Sequence, residues 1–364
     1  MGGLPIAPGP FGRAFHLRGY ARMNRGIVKA ENIPASARRR EIVVQQTGWP
    51  RVAVVGAGAV GCYFGGMLAR AGAPVTLIGR PQHVEAIARN GLFLDTVHFQ
   101  EYVPVSASTQ IDAAQGAQVV LFCVKSFDTE ETARLLAPHL APEALVLSCQ
   151  NGVDNVQRFA KASGRSAVPA IVYVAAAMSG PGRVKHSGRG SFVIGSLPEG
   201  DGGRRRDGRE LEELAAVLAR GGIPCRVSDN IEGELWVKVI INCAYNAISA
   251  LGRSKYIVMT EHPMVRQLMC TVVEEALAVA RAAGVRLPDT DVEKSTLELA
   301  QSVKDATSST AQDIARGKRT EIDALNGYVV RRGKELGIPV PVNQALYTLV
   351  KLLEDNTRAV TPGQ

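Results

Sequence analysis

A narrow polar stripe runs along the otherwise apolar segment 234–251. Lys238, Asn242 and Asn246 are spaced four residues apart, so they fall on one face of a helix. Apolar residues occupy nearly every other direction, which is typical of a buried helix. Burying a lone ammonium is costly unless a partner or an anionic ligand meets it. The stripe is either a thin solvent face or the wall of a polar cavity, and its scarcity of charged residues favours the cavity.

A second polar cluster lies at 308–313 and 319–323. Gly317 is expected to break the helix between the two parts, and Thr320 with Asp323 predicts a capping-box start. Glu321 would then occupy the first turn, where the helix dipole favours an ionised carboxylate. Plain capping also explains these residues without any function, so both interpretations stay open at this point.

A glycine-rich turn is predicted near residue 56. An apolar strand at 51–55 precedes the sequence GAGAVG, and an apolar-periodic helix follows it. In such a turn the first glycine permits a tight bend, the second admits a pyrophosphate, and the third allows close packing of helix and strand. The helix N-terminus favours the anion. The predicted cofactor-binding residues are Gly56, Gly58, Ala59, Val60 and Gly61.

The residue at the end of the second strand, about 20 positions further on, distinguishes NAD from NADP because it contacts the ribose of the dinucleotide. Enzymes that use NAD usually carry an acidic residue there, for the ribose hydroxyls. This chain has Arg80 instead, and the next acidic residue is Glu85. A guanidinium can bind a 2′-phosphate through two charge-assisted hydrogen bonds, so NADP(H) is favoured over NAD(H).

The elements around these residues predict an α/β fold of two parts. Further buried strands are expected at 119–124, 145–149 and 169–176, followed by a hairpin of 184–188 and 191–195 that turns at 188–190. After Asp229 the pattern is helical throughout. The predicted architecture is a Rossmann-type NADP-binding domain followed by an all-helical C-terminal domain. The expected segments are a basic extension at 1–50, the two domains at 51–228 and 229–355, and a tail at 356–364.

The chain resembles the ketopantoate reductase (2-dehydropantoate 2-reductase) family from about residue 51 to 355. The order and the spacing of the motifs match throughout. The motifs that carry the resemblance are GAGAVG (56–61), CVKSFD (123–128), CQNGVDN (149–155), ELWVKVIINCAYN (234–246) and SSTAQDIARGKRTEID (308–323). The family implies an active site in the cleft between the two domains.

The resemblance also implies a role for each matched residue of the substrate site. Lys238 corresponds to the catalytic lysine, with Asn242 and Asn246 beside it in the substrate pocket. Glu321 corresponds to the residue that binds the substrate hydroxyl or supports catalysis, and Ser309 to the one that holds the substrate carboxylate. Reducing a 2-keto acid requires stabilisation of the developing alkoxide and a proton, and a protonated lysine supplies both.

On the cofactor side, Arg80 and Lys125 match cofactor-contacting positions, and Asn151 matches an asparagine beside the nicotinamide and the substrate. Two residues depart from the pattern. Asp128 stands where some members carry Gln, which weakens one cofactor contact, and Tyr256 stands where some carry Asn, which puts the substrate in some doubt.

The family implies NADPH-dependent reduction of ketopantoate to (R)-pantoate, on the route to pantothenate and coenzyme A. A same-fold reductase of another branched 2-keto acid and a non-catalytic NADP sensor are the alternatives. A small 2-keto acid is the expected partner, and a homodimer is left open. The six histidines are isolated in the sequence, so no metal site is expected.

Composition narrows the class of protein. The net charge of +8 suggests nucleic acid, but residues 1–50 hold eight Lys and Arg against two Glu, which leaves the rest nearly neutral. Nucleic acid is therefore not expected as a partner. A membrane is not expected either, because no uninterrupted run of 18 apolar residues occurs. Six scattered cysteines indicate reduced thiols and a cytoplasmic location. Organelle targeting through the Arg-rich extension is the minority alternative.

Overall fold

A computed structural model describes residues 48–197 and 207–360, with side chains up to residue 357. All of these residues belong to one compact unit. The predicted extension at 1–50 lies outside the described residues apart from 48–50. The sequence EGDGGRRRDG at 199–208, which predicts a solvated loop, also lies mostly outside them, as do the last four residues of the predicted tail.

Ten strands form one sheet, with a mainly parallel half in which short apolar strands lie side by side. Its order is β4-β3-β9-β8-β7-β6-β1-β2-β5, and β10 pairs with β9. Neighbours from β5 to β8 pair in parallel, whereas β8 with β9 and β3 with β4 are antiparallel. The strands are β1 Val52–Val55, β2 Val75–Ile78, β3 Leu92–Asp95, β4 Gln100–Val103, β5 Ser106–Ser108, β6 Val119–Phe122, β7 Leu145–Ser148, β8 Val168–Gly180, β9 Arg183–Gly195 and β10 Cys225–Ser228.

Twelve helices are described, and every described element after β10 is helical. Those before β10 are α1 Ala59–Arg70, α2 Pro81–Asn90, α3 Thr129–Leu136, α4 Asn155–Ser163 and α5 Gly208–Arg220. Those after it are α6 Ile231–Gly252, α7 Tyr256–Glu261, α8 Pro263–Ala282, α9 Val292–Ser302, α10 Ser309–Ala315, α11 Asn326–Leu336 and α12 Pro341–Val360. The predicted order of a Rossmann-type domain and a helical domain is confirmed. The predicted domain limits stay a prediction.

Apolar side chains cover both faces of the sheet. On one face, α1 and α5 bury residues such as Phe64 and Leu214 against β1, β3 and β9. On the other, a single continuous core joins Val55 and Phe122 of the sheet to Trp236 and Ile240 of α6. Because the same core continues from the sheet into the helices, packing fixes the position of α6 relative to the ends of the strands.

The predicted hairpin around residues 188–190 is wrong. Strands β8 and β9 form one long hairpin whose turn lies at Pro181 and Gly182. The register shifts between Tyr173 and Val174 and again between Ala175 and Ala176, so residues near 188–190 form bulges within β9. Glycine inside a strand marks a bulge as readily as a turn, and the Pro-Gly pair was the better turn signal.

Helix α6 is the central helix of the second half. It is long and apolar enough to span a membrane by length and composition alone, but 67% of that window is buried inside the protein. Helices α8, α10 and α12 pack against it. Burial on several sides is what its nearly continuous apolar surface predicts. Lys238 and Asn242 of the polar stripe are half-buried, as are the apolar Val237 and Ile241.

Candidate active site

The glycine-rich turn between β1 and α1 has the geometry that the sequence predicts. Gly56 has φ +105°, and a Cβ there would lie 2.7 Å from the Cys123 backbone. A Cβ on Gly61 would collide with the Gly56 carbonyl, whereas one on Gly58 would meet no protein atom within 4 Å. Gly56 and Gly61 therefore serve the fold, and the space beside Gly58 stays open for a ligand next to the first residues of α1, Ala59 and Val60.

Arg80 lies at the carboxyl end of β2, one residue after Gly79, and it is exposed at the start of α2. It forms no ion pair with another described residue. The guanidinium acts on Asp128, where burial raises the carboxyl pKa and the charge of Arg80 partly opposes that rise. Arg80 and Asp128 therefore lie near each other. With no ion-pair partner among the described residues, Arg80 is available to a phosphate.

Lys125 joins the sheet to the helical half. It follows β6, and its Nζ lies 2.9 Å from Asp313 Oδ2 and 3.2 Å from Glu321 Oε2. Burial alone would lower the pKa of the ammonium, but the two carboxylates outweigh it and the pKa is raised. Lys125 thus stays protonated across the physiological range and acts as a fixed cation.

Glu321 is held by three groups of the sheet half. Besides Lys125, the Ser126 backbone N–H donates to its Oε1 at 2.9 Å, and Asn151 Nδ2 donates to its Oε2 at 3.4 Å. Asn151 follows β7 and is itself held by Asn155, whose Nδ2 donates to the Asn151 carbonyl. The carboxylate is buried, so these donors keep its orientation fixed.

The predicted capping box at Thr320 is only half correct. Thr320 Oγ1 accepts from the Ile322 N–H, but Glu354 of α12 accepts the Thr320 N–H, where the box requires Asp323. Asp323 instead accepts from Tyr347 and pairs with Arg319 and Lys351. Glu321 accordingly precedes a short 3-10 turn rather than standing in the first turn of a helix. Glu354 replaces Asp323 as the acceptor of the Thr320 N–H because tertiary packing brings α12 alongside this turn.

Lys238 is the titratable group of the polar stripe. Its Nζ donates to the Val172 carbonyl of β8 at 2.8 Å and lies 5.8 Å from the centre of the Tyr173 ring. Burial lowers the pKa of the ammonium to about 8, although the charge of Glu321 raises it and that of Arg189 lowers it further. No carboxylate among the described residues lies within ion-pair distance of Nζ, so this lysine titrates near neutral pH.

The rest of the stripe lies along the same face of α6. Asn242 is half-buried and Asn246 is buried. The Asn246 carbonyl accepts from Ser308 Oγ, which also caps α10 through the Ala311 N–H. Ser309, the first residue of α10, is exposed beside this junction. The polar stripe therefore ends next to the start of α10, where Ser309 lies.

The structure thus brings Lys125 and Asn151 into direct contact with Glu321. It also places Lys238 close enough to Glu321 for the carboxylate charge to raise the lysine pKa. Asp313 was missed as a partner of Lys125, because nothing local pairs residues 188 positions apart. No group of three His, Cys, Asp or Glu able to hold a metal occurs in the described ranges. The cluster suits proton donation to a carbonyl beside an anion-binding turn.

Comparison with known proteins identifies the family. The model of "Ketopantoate reductase PanE/ApbA" matches residues 52–199, and that of its C-terminal domain matches 230–354. A 2-dehydropantoate 2-reductase of Pyrococcus abyssi is 34% identical over 83% of this chain and 97% of its own. One from Halobacterium salinarum is 31% identical over 84% of this chain and 99% of its own.

Solved structures agree with the sequence relatives. A PanE/ApbA family ketopantoate reductase of Ralstonia eutropha is 51% identical, with a TM-score of 0.78 over 85% of this chain and 99% of its own. A D-mandelate dehydrogenase complex with NADH is 25% identical, with a TM-score of 0.75 over 84% of this chain and 99% of its own. A nicotinamide cofactor is what the family and this neighbour imply, and the open turn at Gly58 fits one. The chain belongs to the ketopantoate reductase family.

Proposed function

We propose that the chain reduces 2-dehydropantoate to (R)-pantoate with NADPH, a step toward pantothenate and coenzyme A. The observation that carries the proposal is Lys238, whose ammonium reaches from α6 to the Val172 carbonyl of β8 with no carboxylate of the described residues in ion-pair distance. Burial lowers its pKa to about 8, which suits a proton donor. Membership of the family supplies the reaction class, and the cluster around Glu321 supplies a polar site of matching chemistry.

The nicotinamide cofactor supplies a hydride when it is bound. Gly58 with Ala59 and Val60 would hold the pyrophosphate, and Lys125 and Asn151 would face the remainder of the cofactor. Lys238 leaves the Val172 carbonyl, donates a hydrogen bond to the substrate carbonyl oxygen, and gives up its proton as the alkoxide forms. Asn242 and Asn246 provide neutral amides for the rest of the substrate, and Glu321 accepts from the substrate hydroxyl.

The preference for NADPH rests on Arg80. The guanidinium lies at the end of β2, where an acidic residue would suit the ribose hydroxyls of NADH. It is exposed and unpaired with any carboxylate within ion-pair distance in the described part of the chain, so it is available to a 2′-phosphate.

The decisive experiment follows NADPH oxidation after purified protein receives ketopantoate or one of several other branched 2-keto acids. The proposal expects the highest kcat/KM with ketopantoate. Equal or better rates with another keto acid would favour the same-fold alternative. Tyr256 is the observation that favours it, because this residue departs from the family pattern and its ring packs on that of Tyr245, with 4.2 Å between the centroids. Binding of NADPH without turnover of any acid would indicate a sensor.

We also propose that the protein is cytoplasmic and that it forms a homodimer. All six cysteines are free thiols, which supports a reducing compartment. Fractionation of the native host cells and light scattering of the purified protein would test the two, and neither outcome bears on the reaction.

A further inference from the structure

Arg189 is held in an unusual backbone conformation beside the active site. It has φ +58°, in the left-handed region that non-glycine residues avoid, and it stands between Gly188 and Gly190, with φ +149° and +140°. Bulges in the β8–β9 pairing lie on both sides of it. Such a conformation is strained for a residue with a Cβ, so it persists only where the surroundings enforce it.

Two aromatic side chains enforce this conformation. His186 is buried, and its ring stacks on that of Tyr63, with 4.2 Å between the centroids. Its Nε2–H donates to the Arg189 carbonyl at 2.5 Å, and the proton must lie on Nε2 because a carbonyl only accepts. Gly190 lies under Tyr63, where a Cβ would come within 2.7 Å of the hydroxyl oxygen. Tyr63 belongs to α1, so the bulge is tied to the cofactor helix.

The guanidinium of Arg189 lies near enough to Lys238 for its charge to act on that ammonium. Arg189 pairs across the hairpin with Val174, two residues from Val172, whose carbonyl accepts the hydrogen bond of Lys238. Its charge lowers the pKa of Lys238 and opposes the rise that burial causes at Tyr256. Its Nη2 reaches the helical half, where it donates to Ser302 Oγ at 3.4 Å.

Among the residues that the structure describes, this guanidinium has no anionic partner. Six other arginines of the described chain pair with carboxylates: Arg70, Arg158, Arg209, Arg226, Arg319 and Arg332. No carboxylate of the described residues lies within 4.0 Å of the Arg189 guanidinium. Two neighbouring cations, one of them on an enforced bulge, would stabilise an anionic ligand placed between them.

We propose that Arg189 binds the carboxylate of the 2-keto acid substrate while Lys238 faces the adjacent carbonyl. The proposal rests on the proposed function. A planar guanidinium offers two parallel hydrogen bonds to a carboxylate, and it supplies the charge that the Ser309 hydroxyl lacks. Arg189 therefore selects acids over uncharged carbonyl compounds of the same shape.

The test compares the best 2-keto acid substrate with its primary amide in wild-type protein, Arg189→Gln and Arg189→Lys. Arg189→Gln should lower kcat/KM for the acid by about 10- to 100-fold, mainly through KM, and leave that for the amide within about twofold. Arg189→Lys should recover part of the preference for the acid. The matched control is Arg183→Gln on the same strand, whose guanidinium lies over Phe93 away from the cleft.

A second measurement follows the pH dependence of kcat/KM. Arg189→Gln removes a charge that lowers the pKa of Lys238, so the alkaline fall in activity should move to higher pH. Equal losses for acid and amide would show a structural role and overturn the proposal, as would an unchanged preference for the acid. Wild-type protein that turns over no 2-keto acid would contradict the proposed function itself, a result distinct from the other two.

Discussion

The two lysines of the cleft occupy opposite environments. Lys125, on the sheet side, lies within 3.2 Å of two carboxylates, and its pKa is raised. Lys238, on the helical side, has only a backbone carbonyl as its direct partner, and burial lowers its pKa to about 8. The same side chain is thus a permanent cation on one side and a titrating acid on the other.

The difference assigns a task to each side of the cleft. A cation that never loses its proton is suited to bind and orient an anionic ligand, whereas catalysis by proton transfer requires a pKa near the working pH. We therefore propose that the sheet side, with Arg80, Lys125 and the glycine turn, binds the cofactor, and that the helical side, with Lys238, carries the chemistry. Glu321 connects the two sides because it contacts Lys125 and its charge acts on Lys238.

Removing each ammonium in turn is the strongest test of the different roles of Lys125 and Lys238. Lys238→Met should lower kcat by about 10²- to 10⁴-fold, because the proton donor is lost while the volume is kept. Lys125→Met should raise KM for NADPH by about 10- to 100-fold with a smaller change in kcat. Steady-state kinetics measures both, with circular dichroism as the folding control. A larger loss of kcat in Lys125→Met would reverse the assignment.

Arg80 sharpens the binding role of the sheet side. Arg80→Gln should lower the preference for NADPH over NADH by about 10- to 100-fold, because a charged hydrogen-bond donor to the 2′-phosphate disappears. The ratio of kcat/KM for the two cofactors gives the answer. Arg89→Gln, at the far end of α2, provides a control, and an unchanged ratio in Arg80→Gln would remove Arg80 from the phosphate site.

The glycine turn separates folding from binding within the sheet side. Gly61→Ala should destabilise the protein by about 1–3 kcal/mol, because its Cβ collides with the Gly56 carbonyl. Gly58→Ala adds a Cβ that meets no protein atom within 4 Å, so the melting temperature should hold while the Kd for NADPH rises. Thermal unfolding and cofactor titration on both variants check this. Unchanged cofactor affinity in Gly58→Ala would place the pyrophosphate elsewhere.

The smallest expected effect is a shift in pH dependence. The Glu321 charge raises the pKa of Lys238, so Glu321→Gln should lower that pKa and move the alkaline fall in kcat/KM to lower pH. Asp313→Asn is the matched control, because Asp313 also pairs with Lys125 but does not act on Lys238. Identical profiles for the two variants would show that Glu321 and Lys238 are not coupled.

The sequence predicted the parts of the molecule that local pattern determines. The strand–turn–helix around Gly56 and the stripe on α6 are continuous segments, and their periodicity and turn chemistry carry the information. Burial of α6 followed from its apolar surface, and the family resemblance indicated which stripe residue would be catalytic.

The contacts that complete the site depend on residues far apart in the chain. The Lys125–Glu321 pair spans 196 positions, and Glu354 displaced Asp323 from the predicted capping box only because α12 packs beside it. Arg189 went unnoticed because its neighbouring glycines were interpreted as a turn. The role proposed for Arg189 rests on the bulge in β9 and on its contacts with Tyr63 and His186. The sequence pattern alone shows neither the bulge nor these contacts.

The most direct test of the account measures kcat/KM for ketopantoate from about pH 6 to about pH 10, at saturating NADPH. The account predicts activity that is level at low pH and falls as the pH rises through about 8, since the proton that the alkoxide needs resides on Lys238. Activity that stays level up to about pH 10, or rises across that range, would contradict Lys238 as the proton donor.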